Sequence, residues 1–451
     1  SDIDELEMMQ EEIEENEELE ELICTLSSVR STEEESLKAL HDDLSRQSAL
    51  MQNTSKLFHQ SYLFAGENAR EMTEENSPLL EMIKLCHQNT QPMCSIHLIS
   101  NEIDVLRNLS LSPNQLFFSE AKFILSNAPK SFVQIANKQF CSIGHFFTEV
   151  CVKLNKAKED ICPLKKAIFS LMPNLNCLTS LDCDLMECFI KAKMYGLGAK
   201  WIDSRPICEV NPRKTALSSI HLLKYFYFAG VVFVGQKRWD DALEHFKIVC
   251  SVPSQRLSSI AVEARKKAIL VGLILNGCEP PFPSYASHVV LSNISQHLKM
   301  YKSICQKFRS KSIRSLRDFV EKSKDCLDGD GNFGLANQVA ASHAKHKVID
   351  LAKAYRTLTL QDLSEKLEMP GISAAEALLV KMISDGEIEA EIEKTESGSG
   401  VVYFLSDDGP FCPKDFNSIK EDLEKILELS KCVKDFDNAL SVEFATSEGQ
   451  I

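Results

Sequence analysis

The segment LTLQDLSEKLEMPGISAAEALLVKMISDGEIEAEI, residues 358–392, decides the fold of the C-terminal third of the chain. It begins with a short extended piece, which is followed at once by a helix over QDLSEKLEM. The hydroxyl of Thr359 can accept a hydrogen bond from the backbone N–H of Asp362, an arrangement typical of a helix N-cap. The segment therefore predicts a short strand that leads directly into a helix.

A further helix is predicted over 374–384, after the turn at Pro370-Gly371. Ser373 and Glu376 have the spacing of a capping box at its start. Gly386 suits the left-handed conformation that ends many helices.

Two strands are predicted next, over 387–392 and 401–405, with the loop EKTESGSG between them. In the first strand acidic and apolar residues alternate, so that one face carries charge and the other is apolar. The order of helix, short strand, two helices and a two-stranded wing is that of a winged-helix domain.

This domain has the wrong charge for a nucleic-acid reader. Residues 359–408 hold twelve acidic and three basic residues, whereas affinity for a phosphate backbone comes from basic contacts. The helix that would enter the major groove offers Lys381 and no Arg, Asn or Gln. Nucleic-acid binding by this domain is therefore not expected.

Residues 36–345 have helical periodicity almost throughout. The stretches 181–203 and 222–250 resemble each other, and the second places small and aromatic residues as a tetratricopeptide-type helix pair does. These residues are Gly230, Phe233, Ala242 and Phe246. The prolines that are expected to separate helix pairs are Pro113, Pro129, Pro163, Pro173, Pro206, Pro212, Pro253 and the EPPFP run at 279–283. The chain is thus predicted to be mostly α-helical, with a right-handed helical-repeat solenoid of the TPR or HEAT type, then the winged helix and a C-terminal bundle helix.

Charge is concentrated at the N-terminus. Residues 1–35 hold fifteen Asp and Glu and one basic residue, Arg30, which gives −14 of the total net charge of −15. Because like charges repel along a helix, a solvated, partly ordered helix or tail is expected there rather than a coiled coil.

The last predicted helix, 415–440, has an apolar stripe that the rest of the chain cannot cover, because only a flexible tail, 441–451, is predicted to follow it. The stripe consists of Ile419, Leu423, Ile426, Val433, Phe436 and Leu440.

One basic run lies upstream of the winged helix: Lys299, Lys302, Lys307, Arg309, Lys311, Arg314 and Arg317. The apolar residues between these charges have helical spacing and are expected in the core. The charges then form a solvated outer face, with a contact for an acidic partner and an RNA patch as the alternatives.

No motif for catalysis or ligand binding is complete. Asp328–Gly334 imitates a calcium loop, but Phe333 replaces the required glycine and Val339 replaces the bidentate glutamate, so a turn between helices is expected. His343 and His346 lack the spacing of a zinc helix, and no nucleotide-binding glycine loop occurs. We therefore expect no enzyme, no catalytic residue, no cofactor and no metal.

The sixteen cysteines are scattered and include no CxxC pair. They are expected to be free thiols in a reducing compartment, and the predicted location is cytoplasm and nucleus. No membrane span and no secretion signal are expected.

The segment 358–392 resembles the winged-helix half of a PCI domain, which proteasome-lid, signalosome and translation-initiation subunits share. The positions that match the domain's pattern are Leu360, Asp362, Leu363, Ala375, Glu376, Ile383, Asp385, Gly386, Ile388, Ala390 and Ile392. Upstream, the stretches YFYFAGVVFVGQKRWDDALEHF and DGNFGLANQVAASHAKHKVIDLAKAYRTLTL are most similar to the subunit-three family of the constitutive photomorphogenic (COP-nine) signalosome. Residues 1–175 and the wing loop match that family less well.

The resemblance implies a non-catalytic scaffold of the complex that removes the ubiquitin-like modifier from cullins. The implied partners are other PCI and MPN subunits and, through the complex, cullin-RING ligases, with no nucleic acid and no membrane. Such winged helices join edge to edge, so strand 387–392 or strand 401–405 is expected to offer an unpaired edge. The expected interface residues are Glu387, Ile388, Glu389, Ala390, Ile392, Val402, Tyr403 and Phe404, together with the stripe of helix 415–440. A subunit of the proteasome lid or of the initiation complex is the alternative, and a winged-helix nucleic-acid binder is a remote one.

The predicted domains follow from these features: an acidic segment over 1–35, helical repeats over 36–220, the helical half of the PCI domain over 221–345, its winged-helix half over 346–406, the bundle helix and the tail.

Overall fold

A computed structural model describes residues 38, 41–42, 44–46, 92–109, 115–253, 256–283, 286, 288–310, 312–394, 400–405 and 423–434. The chain divides into two compact units. The first comprises residues 1–311 and 316–340, and the second comprises residues 312–315 and 341–451.

The first unit is helical throughout its described elements, as the sequence predicts. Its helices are α1 (Pro92–Leu109), α2 (Gln115–Asn127), α3 (Lys130–Ile135), α4 (Asn137–Lys153), α5 (Ala157–Leu171), α6 (Leu181–Lys191), α7 (Tyr195–Ser204), α8 (Pro212–Thr215), α9 (Ser219–Gly235), α10 (Trp239–Ser251), α11 (Ser259–Asn276), α12 (His288–Asn293), a 3₁₀ helix (Ile294–Leu298), α13 (Lys299–Arg309), and α15 (Lys324–Gly329). Helix α14 (Ile313–Lys322) and helix α16 (Phe333–Ala354) each contribute residues to both units.

Close packing of α9 on α10 depends on a glycine. A Cβ at Gly230 would lie 2.6 Å from Cε1 of the Phe246 ring. Phe246 and Ala242 are both fully buried, and the Phe246 ring fills the space that a side chain at position 230 would need. The predicted tetratricopeptide-type pairing of small and aromatic residues is confirmed here, and α10 packs in turn on α11.

Pro163 corrects one sequence-based expectation. It does not separate two helices but lies buried inside α5. An interior proline removes one helical hydrogen bond. Leu164, Ala167 and Ile168 around it are also completely buried, and this apolar face keeps the helix packed despite the lost bond.

The second unit holds a small three-stranded sheet and two short helices. After α16 come β1 (Thr357–Thr359), α17 (Leu360–Lys366), α18 (Ile372–Ser384), β2 (Ala390–Lys394) and β3 (Gly400–Phe404). The sheet is antiparallel with the order β1-β3-β2. This is the predicted order of elements for a winged helix.

The ends of these helices follow the sequence in two of three places. The Thr359 hydroxyl accepts a hydrogen bond from the Asp362 N–H at 3.0 Å, as predicted. Gly386 has φ +72°, as predicted, and Glu387 N–H donates to Met382 C=O at 2.9 Å, which forms a Schellman cap. The predicted capping box of Ser373 is wrong, because α18 begins earlier, with Gly371 at the N-cap and no side-chain cap.

The second unit has its own apolar core. Leu358 of β1, Leu363 of α17, Leu379 of α18 and Val402 of β3 are buried together, and Val348 of α16 packs with them. Each element thus contributes one apolar face, which is why the short strands and helices form one unit.

A helix 423–434, labelled α19, is described beyond the sheet. The acidic segment 1–35, Ile419, Phe436, Leu440 and the tail 441–451 lie outside the described residues. The predicted domain boundaries at 35, 220, 345 and 406 stay predictions.

We expect Gly230→Ala to destabilise the first unit by about 1–3 kcal/mol, because the new methyl group overpacks the buried Phe246 ring. Gly334→Ala is the matched control, since a Cβ there meets nothing within 4 Å. Urea unfolding followed by circular dichroism measures both variants. Equal midpoints for the two variants would contradict this role of Gly230.

Candidate subunit interface

Within the described residues, only one of the two wing strands has a free edge. β3 pairs with β1 through Tyr403, Val402 and Val401 and with β2 along its other side. Of the two strands expected as alternatives, 401–405 is therefore excluded, because the short strand β1 covers its edge, and the alternative 387–392 is left. In the part of the sheet that the structure describes, β2 pairs with β3 alone.

Backbone direction shows which groups of β2 face outward. The Leu405 N–H donates to the Glu389 C=O at 3.0 Å, so the polar backbone groups of Glu389 point toward β3. Because successive residues alternate in an antiparallel strand, those of Glu391 and Glu393 also face β3. The N–H and C=O of Ala390 and Ile392 consequently face the open edge.

The side chains of this segment alternate as predicted. Ile388, Ala390 and Ile392 are half-buried against the core of the second unit, and Glu389 and Glu391 are exposed. The strand itself begins at Ala390 rather than at residue 387. The cause is the Schellman cap, which uses Glu387 to turn the chain out of α18.

The remaining predicted wing residues divide by burial. Val402 and Phe404 lie in the core of the second unit, so their side chains are covered within the chain itself. Tyr403 is 36% exposed on the other face of β3. Glu387 forms an ion pair with Lys345 of α16 at 2.5 Å, which fixes the start of the wing. The assignment of all these residues to a subunit interface stays a prediction.

Helix α19 is exposed along its whole described length. Leu423, Ile426 and Val433, the described members of the predicted stripe, are 54%, 59% and 67% exposed. Leu427 and Leu429 are exposed to a similar degree. Both lie on the same half of the helix and were missed by the sequence-based selection, although helical spacing from Leu423 and Ile426 identifies them.

The described residues hold no group of three or more His, Cys, Asp and Glu side chains placed to bind a metal. The segment that imitates a calcium loop is a turn between α15 and α16, as predicted, where Asp330 binds Lys266 and the Tyr301 hydroxyl. Among the described helices none is long and apolar enough to span a bilayer. Twelve of the cysteines in the described residues are free thiols.

A buried polar cluster links α4, α5 and α6. The Cys188 thiol donates to Oδ2 of Asp160 at 3.2 Å, and His145 Nδ1 lies 2.5 Å from Oδ2 of Asp184. Burial raises the pKa of Asp160 to about 7. Burial, with the Asp160 charge adding to it, also raises the pKa of the Cys188 thiol far above its usual range, so this thiol stays protonated at neutral pH.

Comparison with known proteins agrees with this architecture. Residues 106–290 match the family model for the N-terminal helical repeats of COP9 signalosome complex subunit 3, and residues 316–405 match the PCI domain model. The chain is thus similar to COP9 signalosome subunit 3 along its helical repeats, and a match to the PCI domain follows them.

Two relatives extend the similarity over most of the chain. COP9 signalosome complex subunit 3 of Dictyostelium discoideum is 29% identical over 335 residues, which cover 72% of this chain and 78% of the relative. The subunit 3 of Arabidopsis thaliana is 28% identical over 314 residues, with 69% and 71% covered. Along this chain the match to the helical repeats precedes the match to the PCI domain.

The raised pKa of Asp160 predicts a pH-dependent stability. The folded chain keeps a proton on Asp160 that the unfolded chain releases above about pH 4, so the free energy of unfolding falls as pH rises toward 7. Asp160→Asn should flatten this pH dependence, whereas Asp318→Asn, at an exposed position, should not. Urea unfolding at a series of values between about pH 5 and pH 8 measures how steeply the free energy of unfolding of each variant changes with pH. An unchanged slope in the Asp160 variant would refute the assignment.

Proposed function

We propose that this chain is a non-catalytic scaffold subunit of the COP9 signalosome, the complex that removes a ubiquitin-like modifier from cullins. The observation that carries the proposal is a PCI domain that, in the part of the chain the structure describes, leaves both a strand edge and an apolar helix face uncovered. The relatives named as subunit 3 of this complex support the choice of assembly.

The open edge of β2 suits another subunit's strand. Unpaired backbone N–H and C=O groups on a sheet edge accept an added strand through main-chain hydrogen bonds. The glutamates on the exposed face of β2 disfavour a nucleic-acid ligand. A second winged helix that adds its own strand at Ala390 and Ile392 would satisfy the outward groups.

The apolar half of α19 suits neighbouring helices. Burying a leucine, isoleucine or valine side chain contributes about 1.5–3 kcal/mol. Five such side chains lie exposed on this helix within the described residues. Packing them among helices of sibling subunits would remove that surface from water, as a helical bundle does.

The partners that we propose are other PCI subunits and MPN subunits, with cullin-RING ligases engaged through the whole complex. No step of the reaction is assigned to this chain. We propose cytoplasm and nucleus as its location, in keeping with free thiols that include several deeply buried ones.

Replacing Leu423, Ile426 and Val433 by Ser should weaken incorporation into the complex by about 100-fold or more, because the bundle loses its apolar contacts. Glu424→Ser with Glu428→Ser, on the polar side of the same helix, is the control. Co-purification of sibling subunits with the tagged chain measures incorporation, and circular dichroism checks the fold. Normal assembly of the Ser variant would exclude α19 from the interface.

Ala390→Pro should also impair assembly while leaving the isolated chain folded. Proline removes an outward N–H of β2 but spares the bonds to β3. Ala390→Val, which keeps the N–H, is the matched control. If the proline variant is incorporated as well as the valine variant, no strand is added at this edge.

The identity of the complex needs a separate readout. Material purified through the tagged chain should release the modifier from a modified cullin. Co-purification with proteasome or with initiation factors instead would replace the signalosome by one of the other PCI assemblies.

A further inference from the structure

Helix α13 has two opposite faces of different chemistry. Tyr301, Ile304, Cys305 and Phe308 are buried in the core of the first unit. At about 100° per residue, these four side chains occupy one arc of the helix. The basic run identified in the sequence falls on the other arc.

The outward arc carries positive charge only. Lys299, Lys302, Lys307 and Arg309 are all exposed, and Gln306 between them is neutral. With a rise of 1.5 Å per residue, the four charges are spread along about 15 Å of helix. We call these four residues the basic face of α13.

The cations of the basic face have no anionic partner among the described residues, whose ion pairs involve other side chains. Nearby carboxylates are engaged elsewhere. Glu279 pairs with Arg265, and Glu263 and Asp330 pair with Lys266. The charge of the basic face is thus not neutralised within the described part of the first unit.

The chemistry of this face favours an acidic polypeptide over a nucleic acid. Single-stranded nucleic acid is held by aromatic side chains that stack on bases as well as by cations. The aromatic residues of α13, Tyr301 and Phe308, are buried and cannot stack on a ligand. Four cations on one helical face without aromatic neighbours match a row of carboxylates instead.

The chain itself supplies such a row. Residues 1–35 carry fifteen Asp and Glu and one basic residue, with seven glutamates between Glu11 and Glu20. The rest of the chain has a net charge of only about −1, so this segment is its main source of unbalanced negative charge. A segment on the same chain also binds at a high effective concentration.

We propose that the acidic segment 1–35 binds the basic face of α13. The contact neutralises a surface that would otherwise attract nucleic acid or foreign acidic chains, and salt weakens it because the basic face is exposed to solvent. The proposal concerns the isolated chain and does not rest on the proposed membership of the signalosome.

Zero-length carbodiimide cross-linking of the full-length chain tests the contact, because the reagent joins carboxylates to amines only when they touch. We expect cross-links from Glu and Asp of 1–35 to Lys299, Lys302 and Lys307 at low salt. They should be several-fold more frequent than those to the exposed Lys158 and Lys166, and 0.5 M salt, far above physiological ionic strength, should suppress them. An equal distribution over all exposed lysines overturns the proposal.

Charge reversal supplies the matched comparison. Lys302→Glu with Arg309→Glu should reduce cross-linking at the remaining Lys299 and Lys307 by about fivefold, the loss expected for about 1 kcal/mol of attraction. Lys158→Glu with Lys166→Glu makes the same change of net charge on α5 and should leave it intact. Equal effects of the two double variants would mean that only net charge matters, which contradicts a specific contact.

Two further readouts exclude the competing occupants. Mixing isotope-labelled and unlabelled chains should give cross-links within one chain, and labelled-to-unlabelled products would replace the proposal by contact with a second copy. A fluorescent oligouridylate should bind weakly and equally to both double variants. Tight binding that only the Lys302 and Arg309 variant loses would assign the basic face to RNA.

Discussion

The placement of β3 between β1 and β2 is the constraint on which the rest of this account depends. A buried backbone N–H or C=O group needs a partner, and β3 satisfies its groups on both sides. Within the described residues, β2 satisfies only those of its backbone groups that face β3. The outward groups of Ala390 and Ile392 are therefore left for water or for another chain. The apolar core of this PCI domain is packed within the chain, whereas its sheet can still accept a further strand.

The rest of the chain shows the same contrast between a closely packed core and surfaces that lack a partner among the described residues. The helical unit is closely packed, as the contact of Gly230 with the Phe246 ring illustrates. Burial also sets the protonation of the polar groups inside it, and the Cys188 thiol stays protonated beside Asp160. The groups without a partner among the described residues lie on exposed surfaces. They are the outward backbone groups of β2, the apolar side chains of α19 and the cations on the basic face of α13. Surfaces of this kind are typical of a chain that works through contacts with other chains.

The sequence predicts a helix end correctly where a few adjacent residues determine the cap. The N-cap at Thr359 and the left-handed cap at Gly386 each depend on a few adjacent residues, and both are present. The predicted capping box at Ser373 is absent because Ile372 and Ser373 are themselves helical, so that the helix starts two residues before the predicted position 374. Pro163 was misread because burial of the surrounding apolar face, a tertiary effect, keeps α5 continuous. Residues 387–405 alone do not show which of the two wing strands has the open edge. The strand that covers β3 is β1, which lies more than forty residues earlier in the chain.

Amide hydrogen exchange, compared between the isolated chain and the chain in its purified complex, tests the central claim most directly. The account expects the outward amides of Ala390 and Ile392 and the amides of α19 to exchange rapidly in isolation and slowly after assembly. The amides of β3 should be protected in both states, because their partners lie within the chain. Equal exchange of β2 and α19 before and after assembly would show that neither surface receives another subunit, and the account would then be wrong.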